Sequence, residues 1–259
     1  MSWVLGASAA VLGLVIGSFL NVVVWRVPRG ESVAAPPSAC PQCGRRIRPR
    51  DNVPVLSWLF LRGWCRDCGA HISARYPLVE AGTAALFVLV TLRIGLQPEL
   101  AAYLYLAAVA VALALIDLDT HRLPNAIVLP SYPVLTVLLT AASWADGDWE
   151  ALARAGLGGA ALWLIYFLMV VAYPAGMGFG DVKLAGILGG ALAWLGWGSL
   201  AIGAFAAFVL GGVFAIGLLV TGKATRKSGI PFGPWMLVGA AVGVAVGETW
   251  WATYLNLLT

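Results

Sequence analysis

The sequence predicts an all-α polytopic membrane protein. It has about eight transmembrane helices and a small cytoplasmic zinc-binding loop domain between the first and second. Three observations lead there. Of 259 residues, 61% are hydrophobic and only 11% charged, with a mean hydropathy of +0.88, which excludes an ordinary soluble domain. The apolar residues fall in runs long enough to cross a bilayer, which takes roughly 20 residues each. Nine of the sixteen Lys and Arg residues, and all four cysteines, lie in one polar stretch between Arg26 and Arg75. Nucleic-acid binding would also need a basic cluster, but a cytoplasmic loop accounts for it through the positive-inside rule, so no nucleic-acid partner is expected.

The first span covers residues 3–25 and is followed at once by Arg26 and Arg29. No small-residue cleavage site interrupts it, so it reads as a retained helix. Near its basic end, Gly17 and Ser18 suit close helix packing. Asn21 needs a hydrogen-bonding partner there or else lines a site.

Residues 26–76 form the one long polar segment, too short to build a large core, and a bound metal is the usual staple at that size. Cys40-Pro41-Gln42-Cys43-Gly44 and Cys65-Arg66-Asp67-Cys68-Gly69 supply two Cys-x-x-Cys pairs at nearly the four-cysteine zinc spacing. Four thiolates close a tetrahedral site, so the zinc is expected to be structural. His71 then reads as a surface residue, because Cys40, Cys43, Cys65 and Cys68 already fill the site.

Further spans follow at residues 77–95, 99–116, 124–143, 151–172, 182–197, 199–221 and from Pro231 or Pro234 to about Trp250. Glu80 falls near the start of the second span, where either the helix dipole or a site would account for it. Glu248 falls at the far interface beside Trp250 and Trp251. With the 26–76 loop inside, the loops carrying Arg122, Lys183, and Lys223 with Arg226 and Lys227 are also inside. The acidic loop with Asp146, Asp148 and Glu150 is outside. Only Arg93 and Arg154 fall on the wrong side, near helix ends where they can snorkel.

Two acidic segments between apolar runs carry the chemistry. One is Asp117-Leu118-Asp119-Thr120-His121-Arg122-Leu123-Pro124-Asn125; the other is Gly178-Phe179-Gly180-Asp181. Ionisable residues at the lips of membrane helices read as functional. The glycines let the backbone bend or let another backbone come close. Two carboxylates in a poorly solvated site can share one proton, one acting as acid and the other as base. Asp117 and Asp119 point to opposite sides if the helix continues, so only one can meet Asp181. Asp117 directly follows an apolar run and should sit deeper, which makes it the better partner.

These residues together resemble the bacterial prepilin leader peptidase/N-methyltransferase family. The match runs from Gly17-Ser18-Phe19-Leu20-Asn21, Arg26 and Pro28 through both cysteine pairs. It takes in Asn52-Val53-Pro54, Leu61-Arg62-Gly63 and Ile72 to Glu80, and ends with the two acidic segments. The resemblance implies an intramembrane aspartic protease of the Gly-x-Gly-Asp type with Asp117 and Asp181 as the catalytic pair. In the family the first aspartate precedes a hydrophobic-Pro pair, here Leu123-Pro124, by five intervening residues. It implies cleavage of basic leaders from prepilins and pseudopilins, then N-methylation of the new N-terminal residue from S-adenosylmethionine. It also implies an inner-membrane location with the active site facing the cytoplasm, contact with lipid, and service to pilus or type II secretion assembly. Residues 1–25 would be the first transmembrane helix, 26–76 the methyltransferase-associated zinc-binding domain, and 77–259 a seven-helix peptidase domain. Phe179 stands where methionine is common, a position that should need only an apolar side chain. The sequence names no residue for S-adenosylmethionine, and no glycine-rich nucleotide fingerprint follows a strand in the loop. A peptidase-only member, a proton-coupled transporter using the same aspartates, and a zinc-ribbon scaffold are the competing readings.

Overall fold

The structure is a computed structural model that describes residues 2–174, 176–223, 225 and 231–258. Among the described residues nine α-helices are defined: α1 Ser2–Arg26, α2 Leu56–Phe60, α3 Arg75–Ile94, α4 Leu100–Thr120, α5 Asn125–Asp146, α6 Trp149–Ala172, α7 Phe179–Leu195, α8 Trp197–Val220 and α9 Gly233–Leu258. Among the described residues there is no β-strand, only two isolated bridges in the cysteine loop. Seven of the helices are long and apolar enough to cross a membrane: α1, α3, α4, α5, α6, α8 and α9. The remaining predicted span is α7, at 17 residues the short end of what can span. Its surroundings explain its length. It is buried almost throughout, from Asp181 and Val182 to Trp194, so it packs as a central helix against neighbours. Of the basic residues that place the last loop inside, Arg226 and Lys227 lie outside the described residues.

The chain divides into two compact units, Met1–Ala112 and Leu113–Thr259. In the first, α1 lies along α3 at close range. A side chain at Gly17 would come 2.7 Å from the Glu80 Cα, and one at Gly13 would come 2.6 Å from the Ala84 Cα. Gly17 therefore packs, as small residues do between membrane helices. The Asn21 amide finds a partner in the Tyr76 carbonyl at 3.2 Å.

In the second unit α7 packs against α5, α6, α8 and α9, and α8 pairs with α9 along its length. The α9 stripe Gly239, Gly243, Gly247 recurs every four residues. Side chains there would come 2.6 Å from Gly203 O, Ser199 O and Ser199 Cα respectively. The backbones approach so closely that dispersion contacts and lipid release can hold them together.

Two charged residues in this unit cap the ends of neighbouring helices. Arg154 of α6 donates from Nε and Nη2 to the Ala193 and Trp194 carbonyls, both at 2.6 Å. It satisfies the C-terminal end of α7 instead of snorkelling. Glu248 of α9 accepts from the Ser199 N–H at 2.7 Å, capping the N-terminus of α8. Between these caps Gly196 turns with φ 153, outside the range a side chain readily adopts.

Candidate active site and metal centre

The first aspartate is set by the way α4 ends. The helix continues through the last turn, with Thr120 Oγ1 donating to the Ile116 carbonyl at 2.8 Å. It stops at His121, whose φ is 53 and whose N–H donates to the Asp117 carbonyl at 2.8 Å, a left-handed cap. Because α4 is still helical there, Asp117 and Asp119 face apart. Asp117 is 5% exposed, whereas Asp119 is exposed.

The second aspartate sits in the first turn of α7, which begins at Phe179, three residues earlier than the sequence pattern places it. Gly178 caps the helix. The Asp181 Oδ2 accepts from the Gly178 N–H at 3.1 Å while the Asp181 N–H donates to the Gly178 carbonyl at 3.0 Å. This reach-back locks the carboxylate over the helix start, where the dipole favours an anion. Gly178 has an extended backbone, φ −79 and ψ 149, and Gly180 lies within α7. Of the two reasons for glycine here, close approach therefore applies. A side chain at Gly180 would come 3.0 Å from the Leu123 Cβ.

Leu123 is the hinge of the arrangement. It also touches the start of α9, where a side chain at Gly233 would come 3.4 Å from Leu123 Cδ2 and 2.7 Å from Asp117 Oδ2. The backbone of Gly233 thus lies directly against the Asp117 carboxylate. Asp117 and Asp181 are close enough for the charge on one to act on the other. Asp181 is likewise within electrostatic reach of Tyr166 of α6, whose buried ring lies tilted against Phe208 and Phe232. The ends of α4, α7 and α9 thus converge on two buried carboxylates. Gly233 and Tyr166 were not singled out in the sequence. The Pro231-Phe232-Gly233-Pro234 run reads there only as a helix start, although it was the available signal.

Around this pair α5 steadies α7. The Tyr132 hydroxyl donates to the Lys183 carbonyl at 2.6 Å, and Lys183 Nζ donates to Asn125 Oδ1 at 2.9 Å. The Lys183 ammonium also stands 5.1 Å over the Phe179 ring, which meets Phe167 edge-on. Both contacts use the aromatic ring of Phe179, beyond the merely apolar side chain the sequence pattern asks for.

The cysteine loop builds a second centre from two matching knuckles. In the first, the Cys40 N–H donates to the Arg45 carbonyl at 3.0 Å and the Gly44 N–H to the Cys40 carbonyl at 2.9 Å. In the second, the Cys65 N–H donates to Ala70 O at 2.8 Å and the Gly69 N–H to Cys65 O at 2.9 Å. Gly44 and Gly69 take φ 67 and 68, a turn that suits glycine. The four sulfurs of Cys40, Cys43, Cys65 and Cys68 lie within 4.8 Å of one another, and the Cys40 and Cys68 sulfurs are 3.8 Å apart. A tetrahedron with about 2.3 Å metal–sulfur bonds has edges of about 3.8 Å, so the set fits zinc.

The donor chemistry agrees with that fit. The Cys43 and Gln42 N–H groups pull the Cys40 thiol down to about 7. Cys68, despite the Ala70 N–H aimed at it, is pushed up to about 12 by burial and the other three sulfurs. Four thiolates crowd together only around a cation. His71 lies outside the set, its ring edge-on to Trp64 with centroids 5.4 Å apart.

Ion pairs tie the knuckles together. Arg45 and Arg48 reach Asp67 at 3.2 and 2.9 Å, and Arg66 grips Asp51 at 2.7 Å, which holds the Asp51 carboxyl below the usual carboxylate range. Glu80 is the sixth residue of α3, past the first turn, so the helix-dipole reading of it gives way. It is buried, and its Oε2 accepts from the Val55 N–H at 2.7 Å.

An all-helical membrane protein with paired carboxylates at helix ends and a four-cysteine loop is the class these features define. Comparison with known proteins gives the family. The Bacterial Peptidase A24 N-terminal domain family matches residues 11–94, and the Type IV leader peptidase family matches residues 104–216. A prepilin leader peptidase/N-methyltransferase of Pseudomonas putida is 37% identical over 96% of this chain and 93% of its own length. Proteins of the same name from Aeromonas hydrophila and Aeromonas salmonicida are 36% and 34% identical, over 99% and 100% of this chain and 96% of their own lengths. No solved structure matches. The chain belongs to the prepilin leader peptidase/N-methyltransferase family and is an enzyme of that family.

Proposed function

We propose that the chain removes the basic leader from type IV prepilins and pseudopilins by aspartic proteolysis and then N-methylates the new N-terminal residue. The observation that carries the first half is the convergence of buried Asp117 and Asp181 at the ends of α4 and α7. In this reading one carboxylate, ionised, takes a proton from a water held between the pair. The other, protonated, donates to the scissile carbonyl. Burial of both groups makes sharing a single proton cheaper than ionising both. Glycine at 233 leaves the Asp117 carboxylate room at the start of α9, where a side chain would meet its Oδ2 at 2.7 Å. The names of the relatives support both halves of this reading; transport finds no such support.

The loop of residues 26–76 is then the methyltransferase-associated domain, bracketed by the first transmembrane helix, 1–25, and the seven-helix peptidase part, 77–259. Cys40, Cys43, Cys65 and Cys68 hold a structural zinc. S-adenosylmethionine supplies an electrophilic methyl group, and the chain's part is to bind it beside the free amine of the cleaved pilin. The charge pattern places loop and carboxylates on the cytoplasmic side of the bacterial inner membrane. A substrate that is itself a membrane helix with a basic leader meets them there without leaving the bilayer, and the processed pilin passes to pilus or type II secretion assembly. Mass spectrometry of a prepilin incubated with the purified protein and S-adenosylmethionine tests this. Loss of the leader with gain of one methyl group on the mature product is expected. An intact precursor overturns the reading, and cleavage without methylation reduces it to a peptidase.

A further inference from the structure

The first unit contains a cleft of about 410 Å³, within the size range of small-molecule sites. One wall is α1, which contributes Ser18, Phe19, Val22 and Arg26. The other wall is two stretches of the cysteine loop, one at Pro36 and Ser38 and one at Asn52 and Pro54. Of these residues Ser18, Phe19, Arg26, Asn52 and Pro54 fall in segments that the family resemblance singles out and that neither the carboxylate pair nor the zinc set uses.

Each stretch of the loop wall has its own anchor. Arg26 donates from Nη1 to the Ser32 carbonyl at 2.9 Å and from Nη2 to the Pro36 carbonyl at 2.7 Å. A guanidinium has five N–H donors, so this grip leaves donors for a ligand. The second stretch is held by Glu80 through the Val55 N–H. Val55 has φ 62 and ψ −50, an outlier for a β-branched residue. Such strain persists only where the surroundings impose it, and it gathers at ligand clamps. A carboxylate buried in a membrane helix is thus spent on fixing the turn that presents Asn52 and Pro54. The knuckles join in, because the Ile47 N–H donates to the Ser38 carbonyl at 2.9 Å and ties the first stretch to the zinc set.

The walls are amphiphilic. Phe19, Val22 and Pro36 offer an apolar surface. Ser18, Ser38 and Asn52 offer hydroxyls and an amide, and Arg26 offers a cation. We propose that this cleft binds the methyl donor, an adenosyl sulfonium with an amino-acid tail. Arg26 meets its carboxylate, the hydroxyls and amide meet its ribose and base, and the apolar wall covers the base. This assignment rests on the methyltransferase reading above.

The test measures binding directly. Calorimetric titration of the zinc-loaded, full-length protein with S-adenosylhomocysteine gives an affinity without turnover. Ser18→Trp and Ser38→Trp fill the cleft from opposite walls, so one serves as the test if the other misfolds. Each is expected to weaken binding at least about tenfold, with leader cleavage and zinc content unchanged. Photo-crosslinking of labelled S-adenosylmethionine is expected to mark peptides containing residues 15–26 or 33–54. Unchanged affinity in both variants, with a wild-type protein that binds and methylates, overturns the cleft assignment alone. A wild-type protein that cleaves but neither binds nor methylates overturns the methyltransferase reading together with it.

Discussion

Asp117 and Asp119 stand two residues apart, yet the helix that carries them separates their environments. Asp117 is buried beside Gly233 and Leu123, and Asp119 is exposed. That contrast follows from the sequence once α4 is taken to continue past Ile116, because residues two apart face opposite ways. Gly233 could not be read in the same way. It meets Asp117 only because α9 begins against the end of α4, and no local pattern encodes which helix starts meet. Glu80 shows the same limit, since its partner Val55 lies 25 positions away. Glu80→Leu leaves the Val55 N–H unpaired, a cost of about 1–3 kcal/mol, and is expected to loosen residues 50–58. Glu80→Gln keeps an acceptor and should retain the turn. Hydrogen exchange of that segment in the full-length protein compares them, and equal protection in the two variants would remove Glu80 from the role.

At the scale of elements, the zinc loop and the helix pairs make separable predictions. Both knuckles were legible as spacing, because a Cys-x-x-Cys-Gly turn is a local device. Zinc binding in such modules is largely folding free energy, on the order of 10 kcal/mol or more in free peptides. Cys65→Ser is therefore expected to unfold the loop and abolish methylation, while part of the cleavage activity survives on α4 and α7. Parallel assays of the two activities check this; an equal loss of both would mean that the loop shapes the peptidase entrance. Thiols must lose protons to bind the metal, so zinc is retained at neutral pH and released as pH falls, with the loop opening before the helices. The α8–α9 stripe Gly239, Gly243, Gly247 is just as regular, but the apolar composition of α9 accounts for it equally well as a lipid-facing span. Gly243→Val, forced against the Ser199 carbonyl and Gly203, should cost about 1–3 kcal/mol through overpacking. A thermal melt in detergent that does not move would contradict that close contact.

For the whole molecule, helix number and order were readable from hydropathy. The position of α7 was not, since burial by other helices leaves the same apolar signature as burial by lipid. The charge pattern predicts the sidedness: a cysteine placed at Asp146 should react with an impermeant reagent added to intact cells, and one placed at Glu31 should not. The reverse labelling would put the carboxylates on the wrong face for a cytoplasmic leader. The central claim is that Asp117 and Asp181 act as one proteolytic pair. The direct measurement is cleavage of a prepilin by purified wild-type, Asp117→Asn, Asp181→Asn and Asp119→Asn proteins, each checked for folding. Loss of a general acid or base costs about 10²–10⁴-fold in rate, so the first two variants are expected to be inactive within that range while Asp119→Asn keeps substantial activity. An active Asp117→Asn protein beside an inactive Asp119→Asn protein would contradict the pairing.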